Sequence, residues 1–158
     1  MRYLPFDVPF TEDLERNHLD FAREILDALE ATFNGRGVAW KFSLPPNLPA
    51  FTREVLSVVS RIPRGYVTTY GEIAKAISES NAARAVARAV ASNPFLLLIP
   101  CHRVVKSNLE VGGYVLGENM KRTLLKREAN RDLLDRIIFY YKGRKLRLNS
   151  TWKIWHKM

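Results

Sequence analysis

Proline and glycine punctuate this 158-residue chain, and they mark where its helical and strand-like segments must stop. Asn34-Gly35 ends a run in which Leu14, His18, Phe21, Ile25 and Leu29 recur at three- and four-residue steps, which predicts a helix over 12–33. His18 is simply a residue on that helix face. Val38, Trp40 and Phe42 alternate with smaller or polar residues, the pattern of a short strand. Pro45, Pro46 and Pro49 break the pattern and place a linker at 44–50. Phe51, Val55, Val58, Val59 and Ile62 form the apolar face of a second helix over 51–62, which Pro63-Arg64-Gly65 ends.

Val67-Thr68 is then a short extended stretch, and Thr69 to Glu72 reads T-x-x-E, a capping box that opens a helix through Ile77. Ser78-Glu79-Ser80 makes a turn, and Asn81 is placed to cap a further helix running to Ser92. Two short helices with a tight turn between them suggest a helix-turn-helix. Beyond Asn93-Pro94, the run Phe95 to Ile99 is an apolar strand or core segment that delivers the chain to Pro100-Cys101-His102-Arg103. Ile137 to Tyr141 reads as a strand, Lys142-Gly143 as a turn and Leu146-Arg147-Leu148 as the return. Trp152 and Trp155 are read as packing the tail against the protein, with stacking on nucleic acid as the alternative, and His156 as a surface residue. The expected class is α+β: a small N-terminal α/β part with its linker (1–50), a mainly helical domain with a helix-turn-helix (51–130), and a basic aromatic C-terminal extension (131–158).

Charge narrows the partner. The net charge of +9 is uneven: residues 1–50 balance at −3, residues 51–102 at +3 and residues 103–158 at +9. Positive charge gathered toward one end points to a polyanion. The helix after Asn81 carries five alanines in residues 82–89, with Arg84 and Arg88 one turn apart. Alanines such as Ala83 and Ala85 let a backbone approach another surface closely, and the arginines suit phosphates or the base stack, so this helix is expected to dock into a DNA groove. The apolar run Phe95 to Ile99 is too short to cross a bilayer, and the N-terminus has no apolar core of a secretory signal, so a cytoplasmic protein without membrane contact is expected.

One cysteine, Cys101, excludes an intramolecular disulfide. With His18, His102 and His156 as the remaining candidate ligands and no metal-ligand spacing among them, neither a metal nor a cofactor is expected. A lone cysteine is most often an inert core residue. Cys101, however, follows Pro100 and stands beside His102 and Arg103, a base and a positive charge of the kind that turns a thiol into a nucleophile.

The run Ile99-Pro100-Cys101-His102-Arg103-Val104 resembles the active-site signature of the O6-alkylguanine-DNA alkyltransferases, the methylated-DNA–protein-cysteine methyltransferases. So do Thr69-Tyr70-Gly71-Glu72, the Ala82 to Val86 helix start, Asn93-Pro94, Gly112-Gly113-Tyr114 and Lys121-x-x-Leu124-Leu125-x-x-Glu128, in the family's order, over residues 51–129. The resemblance implies single-use repair: an alkyl group passes from guanine O6, with thymine O4 as a second candidate, to Cys101 of a monomer bound to double-stranded DNA. It implies His102 as the base acting through a water and Glu128 as the group that orients it. Tyr70 would donate to guanine N3, and Arg84 would fill the stack left by the flipped nucleotide. The carbonyls of Cys101 and Val104 would accept the guanine amino group, the N–H of Val115 would face O6, Tyr114 would pack in the pocket, and Asn93 would brace the turn before Pro100. Three positions depart from the family pattern: Ala87 and Leu116 stand where glycine is common, and Ala129-Asn130 replaces a glycine, so that the helix carrying Glu128 is expected to continue.

Other readings remain at this point. A damage sensor of the alkyltransferase-like kind would lack the acceptor cysteine. A helix-turn-helix regulator would be indifferent to Cys101, and a cysteine hydrolase would need turnover and an oxyanion hole.

Overall fold

The computed structural model describes residues 12–34, 44 and 47–155. The strand expected at Val38, Trp40 and Phe42, the Pro45-Pro46 pair and His156 lie outside the described residues. The order of elements is α1 (Glu12–Phe33), α2 (Ala50–Val59), β1 (Tyr66–Thr69), α3 (Tyr70–Ala76), α4 (Ala83–Ala91), a 3₁₀ turn (Cys101–Arg103), β2 (Val104–Val105), α5 (Glu118–Glu128), β3 (Arg136–Tyr141), β4 (Arg144–Ser150) and α6 (Thr151–Trp155). Among the described residues, no helix is long and apolar enough to cross a membrane.

Local chemistry sets the ends of these elements. Thr69 caps α3, its hydroxyl accepting the Glu72 N–H at 3.2 Å. The reciprocal half of the box is absent. The Glu72 carboxylate instead takes Lys75 Nζ at 3.0 Å and the Arg147 N–H at 3.4 Å, which ties the helix to β4. Asn81 does not cap α4. A turn closed by the Ala82 N–H on the Glu79 carbonyl (2.7 Å) draws Asn81 inside it, and Ala82, with no side-chain cap, takes the N-cap place. The run from Phe95 is not a strand either. Ile99 N–H returns to the Phe95 carbonyl at 2.9 Å and Leu97 sits in the left-handed region (φ 69°), so the segment is a compact half-buried turn. Nor does α5 continue past Glu128, because Ala129 is extended (φ −66°, ψ 125°).

The sheet has the order β2-β1-β4-β3. β1 and β2 run parallel, with Thr68 opposite Val104. β4 pairs antiparallel with β1 (Tyr66 opposite Ser150) and with β3. Lys142 and Gly143, both at positive φ (46° and 78°), form the two-residue turn between β3 and β4, the geometry that matches strand twist. One core joins Val55, Leu56 and Val59 of α2, Ile73 of α3, Val86 of α4 and Ile99 to Leu146 and Leu148 of the hairpin. A smaller core on the other sheet face joins Val67, Val105, Val111, Leu125 and Ile154. The hairpin and α6 therefore close both cores. The indoles of the tail lie against cations of the protein, Trp152 under Arg131 (4.3 Å) and Trp155 under Lys126 (5.3 Å).

Leu148 is fully buried between α-helical and β-sheet neighbours. Leu148→Ala is expected to lower the unfolding free energy by about 2–5 kcal/mol, the usual loss for a buried leucine. Urea unfolding at neutral pH measures it, and a loss below about 0.5 kcal/mol would mean that the hairpin is not part of the cooperative core.

Candidate active site

Two short-range devices place Cys101. Asn93, buried just past α4, donates from Nδ2 to the Ile99 carbonyl at 2.9 Å and accepts the Phe95 N–H on Oδ1 at 2.9 Å, holding the compact turn closed. Pro100 (φ −78°, ψ 63°) is the centre of an inverse γ-turn, closed by the Cys101 N–H on the Ile99 carbonyl at 2.8 Å. The ring fixes φ near this value, so the sharp bend is set by the residue itself. The bend ends one apolar segment and starts the 3₁₀ turn whose first residue is Cys101.

The thiol lines a cavity of about 510 Å³. Tyr70 of α3, Ala87, Val90 and Ala91 of α4, Lys106 after β2, and Gly112, Gly113, Tyr114 and Val115 of the loop before α5 complete its wall. Ala87, one of the departures noted above, thus stands on the pocket side of α4. Val115 and Leu116 are largely exposed at this loop. Burial raises the thiol above its ordinary range, while the Asn93 and Tyr114 side chains and the Lys121 charge work in the opposite direction. The thiol is therefore protonated at neutral pH, and a base would be needed to make it a nucleophile. Burial likewise raises the hydroxyls of Tyr70 and Tyr114, with the nearby Cys101 adding to the effect, so both are O–H donors. The Tyr114 hydroxyl is buried, with no nitrogen or oxygen partner among the described residues.

Behind Cys101 lies a buried ionic network. Glu128 Oε1 accepts from His102 Nε2 at 3.0 Å and from Arg103 Nη2 at 2.7 Å, and its Oε2 accepts from Arg103 Nε at 2.9 Å. Arg103 Nη1 donates to the Ile62 carbonyl at 2.7 Å. Burial alone would raise the Glu128 carboxyl, but the hydrogen bonds and charges of His102 and Arg103 outweigh it and hold the pKa down to about 2. His102 is driven the other way: burial pushes its pKa below the ordinary 6.5 despite the carboxylate. A neutral imidazole beside a carboxylate must carry its proton on Nε2, which leaves the lone pair on Nδ1. Nδ1 is buried and has no partner among the described residues.

Lys121 is the second buried cation. It is 1% exposed, and its Nζ donates to the Val104 carbonyl at 2.6 Å and to the Gly113 carbonyl at 3.4 Å. It pins the strand after the cysteine to the loop carrying Tyr114. Burial lowers its pKa to about 8. The Cys101 carbonyl accepts the Val104 N–H within the 3₁₀ turn, so each of the two carbonyls expected to meet a guanine amino group already holds a hydrogen bond within the protein. Arg84 and Arg88 are exposed on α4, with Ala83 and Ala85 half-buried at its start.

Residues 50–130 match the family described as 6-O-methylguanine DNA methyltransferase, DNA binding domain. The chain belongs to that family. It is 41% identical over 111 residues to a methylated-DNA–protein-cysteine methyltransferase of Methanosarcina mazei, covering 70% of each chain. It is 42% identical over 116 residues to that of Archaeoglobus fulgidus, covering 70% of this chain and 74% of the relative. The structure is similar to that of Mycobacterium tuberculosis OGT in complex with DNA, with 37% identity, a TM-score of 0.61 and 68% of each chain covered.

Sequence motifs alone assign no role to Lys121 and give Arg103 only the part of a neighbouring charge. A signal for Lys121 is nevertheless present. Lys121, Leu124, Leu125 and Glu128 stand at i, i+3, i+4 and i+7, one helix face, and all four are buried. Two charged residues on the buried stripe of a helix are rare enough to indicate a site.

The folded state holds fewer protons than the unfolded chain on both His102 and Glu128, so acid must destabilise it. Stability is expected to fall as pH drops below about 6.5, where unfolded histidine gains its proton, and again between about 4.5 and 2, where unfolded and then folded carboxyl do. Urea unfolding across this range checks both stages. In Glu128→Gln the second stage is expected to be shallower, and an unchanged slope would exclude Glu128 as its source.

Proposed function

We propose that this protein repairs DNA by transferring an alkyl group from guanine O6 to Cys101, irreversibly and once per molecule. The observation that carries the reading is a single cysteine on the wall of a cavity under α4, backed by a buried His102–Glu128 pair. The activity for which its family and relatives are named supports it.

In this reading α3, the turn at 77–82 and α4 are a helix-turn-helix, with α4 in a groove of the duplex. Exposed Arg84 and Arg88 meet phosphates or fill the stack, and the alanines allow close approach. A thiol held inside the pocket cannot reach an atom in stacked duplex, so the alkylated nucleotide turns out of the helix to enter it. His102 takes the thiol proton on Nδ1 through a water, and Glu128 stabilises the imidazolium, as in other nucleophile–base–carboxylate sets. The sulfur attacks the alkyl carbon, the carbon–O6 bond breaks, and its electrons pass to guanine. The Tyr70 hydroxyl passes its proton to N3, so the base leaves neutral, and the proton that His102 took from the thiol returns through water to Tyr70, leaving both side chains as they began. The product is a thioether on Cys101, and no group in the site regenerates the thiol. The protein works as a monomer inside the cell, without metal or cofactor.

Intact-protein and peptide mass spectrometry after mixing with an O6-methylguanine duplex is expected to show one methyl group on the Cys101 peptide and no more. Cys101→Ser is expected to bind DNA but accept nothing, and transfer to that variant would overturn the assignment. Arg84→Ala is expected to slow repair of duplex DNA by tenfold or more while leaving reaction with free O6-methylguanine base within twofold. Equal losses on both substrates would exclude a role for Arg84 in holding the nucleotide out.

A further inference from the structure

The β3–β4 hairpin lies outside the stretch matched to the family, and its two faces differ in chemistry. Ile137, Phe139, Leu146 and Leu148 point into the core. The opposite face carries Arg136, Ile138 and Tyr140 on β3, paired across the ladder with Asn149, Arg147 and Lys145. Ile138 and Tyr140 are 52% and 55% exposed, and the face holds no acidic residue. Residues 131–158 contain eight basic and two acidic residues. An edge strand needs only a charge or two of either sign to resist aggregation, so a face of one sign exceeds that need.

This face opens into a groove of about 330 Å³ lined by Arg136, Arg147 and Asn149 of the hairpin, Gly71 and Lys75 of α3, and Ser107. Glu72, the one acidic group lining it, is engaged by Lys75 at 3.0 Å and faces Arg147 at 4.0 Å. Tyr70, the residue before Gly71, lines the cavity of Cys101. Lys106 of that cavity likewise precedes Ser107 of the groove, so the two are flanked by neighbouring residues at two places in the chain, and the groove presents cations, amides and hydroxyls.

We propose that the outward face of the β3–β4 hairpin and its groove against α3 bind the sugar–phosphate backbone of the duplex flanking the lesion. This inference rests on the DNA-repair reading above and adds a second, sequence-independent binding surface to it. A seven-residue strand extends roughly 23 Å, enough to follow several successive phosphates. Arg136, Lys145 and Arg147 meet phosphate oxygens, and Ile138 and Tyr140 lie against sugars.

The test is the salt dependence of binding to an undamaged duplex, compared with methyl transfer from free O6-methylguanine base. Arg136→Ser/Arg147→Ser is expected to lower the slope of log affinity against log salt by about 2, near 0.9 for each phosphate no longer neutralised, while transfer from the free base stays within twofold. Lys145→Glu, at an exposed position with no ion pair among the described residues, is expected to weaken DNA binding at least tenfold at low salt and guards against a folding defect in the double variant. Arg23→Ser/Arg53→Ser removes the same charge from α1 and α2 and is expected to leave the slope within about 0.5 of the unaltered protein, on the same scale. An unchanged slope in the hairpin variants, or an equal fall in the α1–α2 control, overturns the proposal. Failure of the unaltered protein to accept methyl from any substrate would instead overturn the repair reading, and the slopes would still decide the hairpin.

Discussion

The buried carboxylate of Glu128 is the charge on which the site depends. An ionised carboxylate out of water is tolerable only when its oxygens are filled, and here Arg103 takes both and His102 shares one. The helix end that carries it is also held from outside. Arg64 donates to the Arg127 carbonyl at 2.7 Å, and the buried Thr151 hydroxyl lies 3.3 Å from the Glu128 carbonyl and 3.0 Å from that of Gly65. Arg103 in turn reaches back to the end of α2 through the Ile62 carbonyl. A single carboxylate therefore joins α2, the cysteine turn and α5, and fixes the tautomer that leaves His102 Nδ1 basic.

The site is built with opposite demands on its ionisable groups. Burial keeps the thiol protonated and the imidazole neutral, so neither carries charge at rest. The fixed charges, Glu128 and Arg103, lie one layer behind. This separation suits a nucleophile that must survive unreacted in water until a substrate fills the cavity. In the proposed reaction the thiolate forms beside Lys121 and the Tyr114 side chain, both of which favour the ionised sulfur.

Elements governed by nearby residues were legible in the sequence, and those governed by distant ones were not. The periodicity of 12–33, the Thr69 cap and the Lys142-Gly143 turn all follow from residues within a few positions, and each is present. The run from Phe95 to Ile99 has the composition of a buried strand. Its turn is imposed by Asn93 hydrogen bonds and by Leu97 at positive φ, for which leucine gives no signal. Asn81 is a good cap by type but lies inside the preceding turn, and only the hydrogen bond from Ala82 to Glu79 decides that. Of the candidate site, the cysteine and its flanking residues could be read directly. The buried side of α5 carries a cation, Lys121, and a carboxylate, Glu128, that a linear reading without the family resemblance treats as surface charge.

The pairing of Tyr66 with Ser150 bears on supply. The strand leading to α3 and the strand completing the sheet are separated by most of the family-matched chain. Neither core can close until the β3–β4 hairpin and α6 are in place, and such non-local closure is slow compared with helix formation. A conventional enzyme repays that delay over many turnovers. A protein consumed by one transfer does not, so each lesion removed draws on one complete passage through synthesis and folding. The β3–β4 hairpin and α6, which complete the two cores, are thereby part of the time that each fresh acceptor takes to fold.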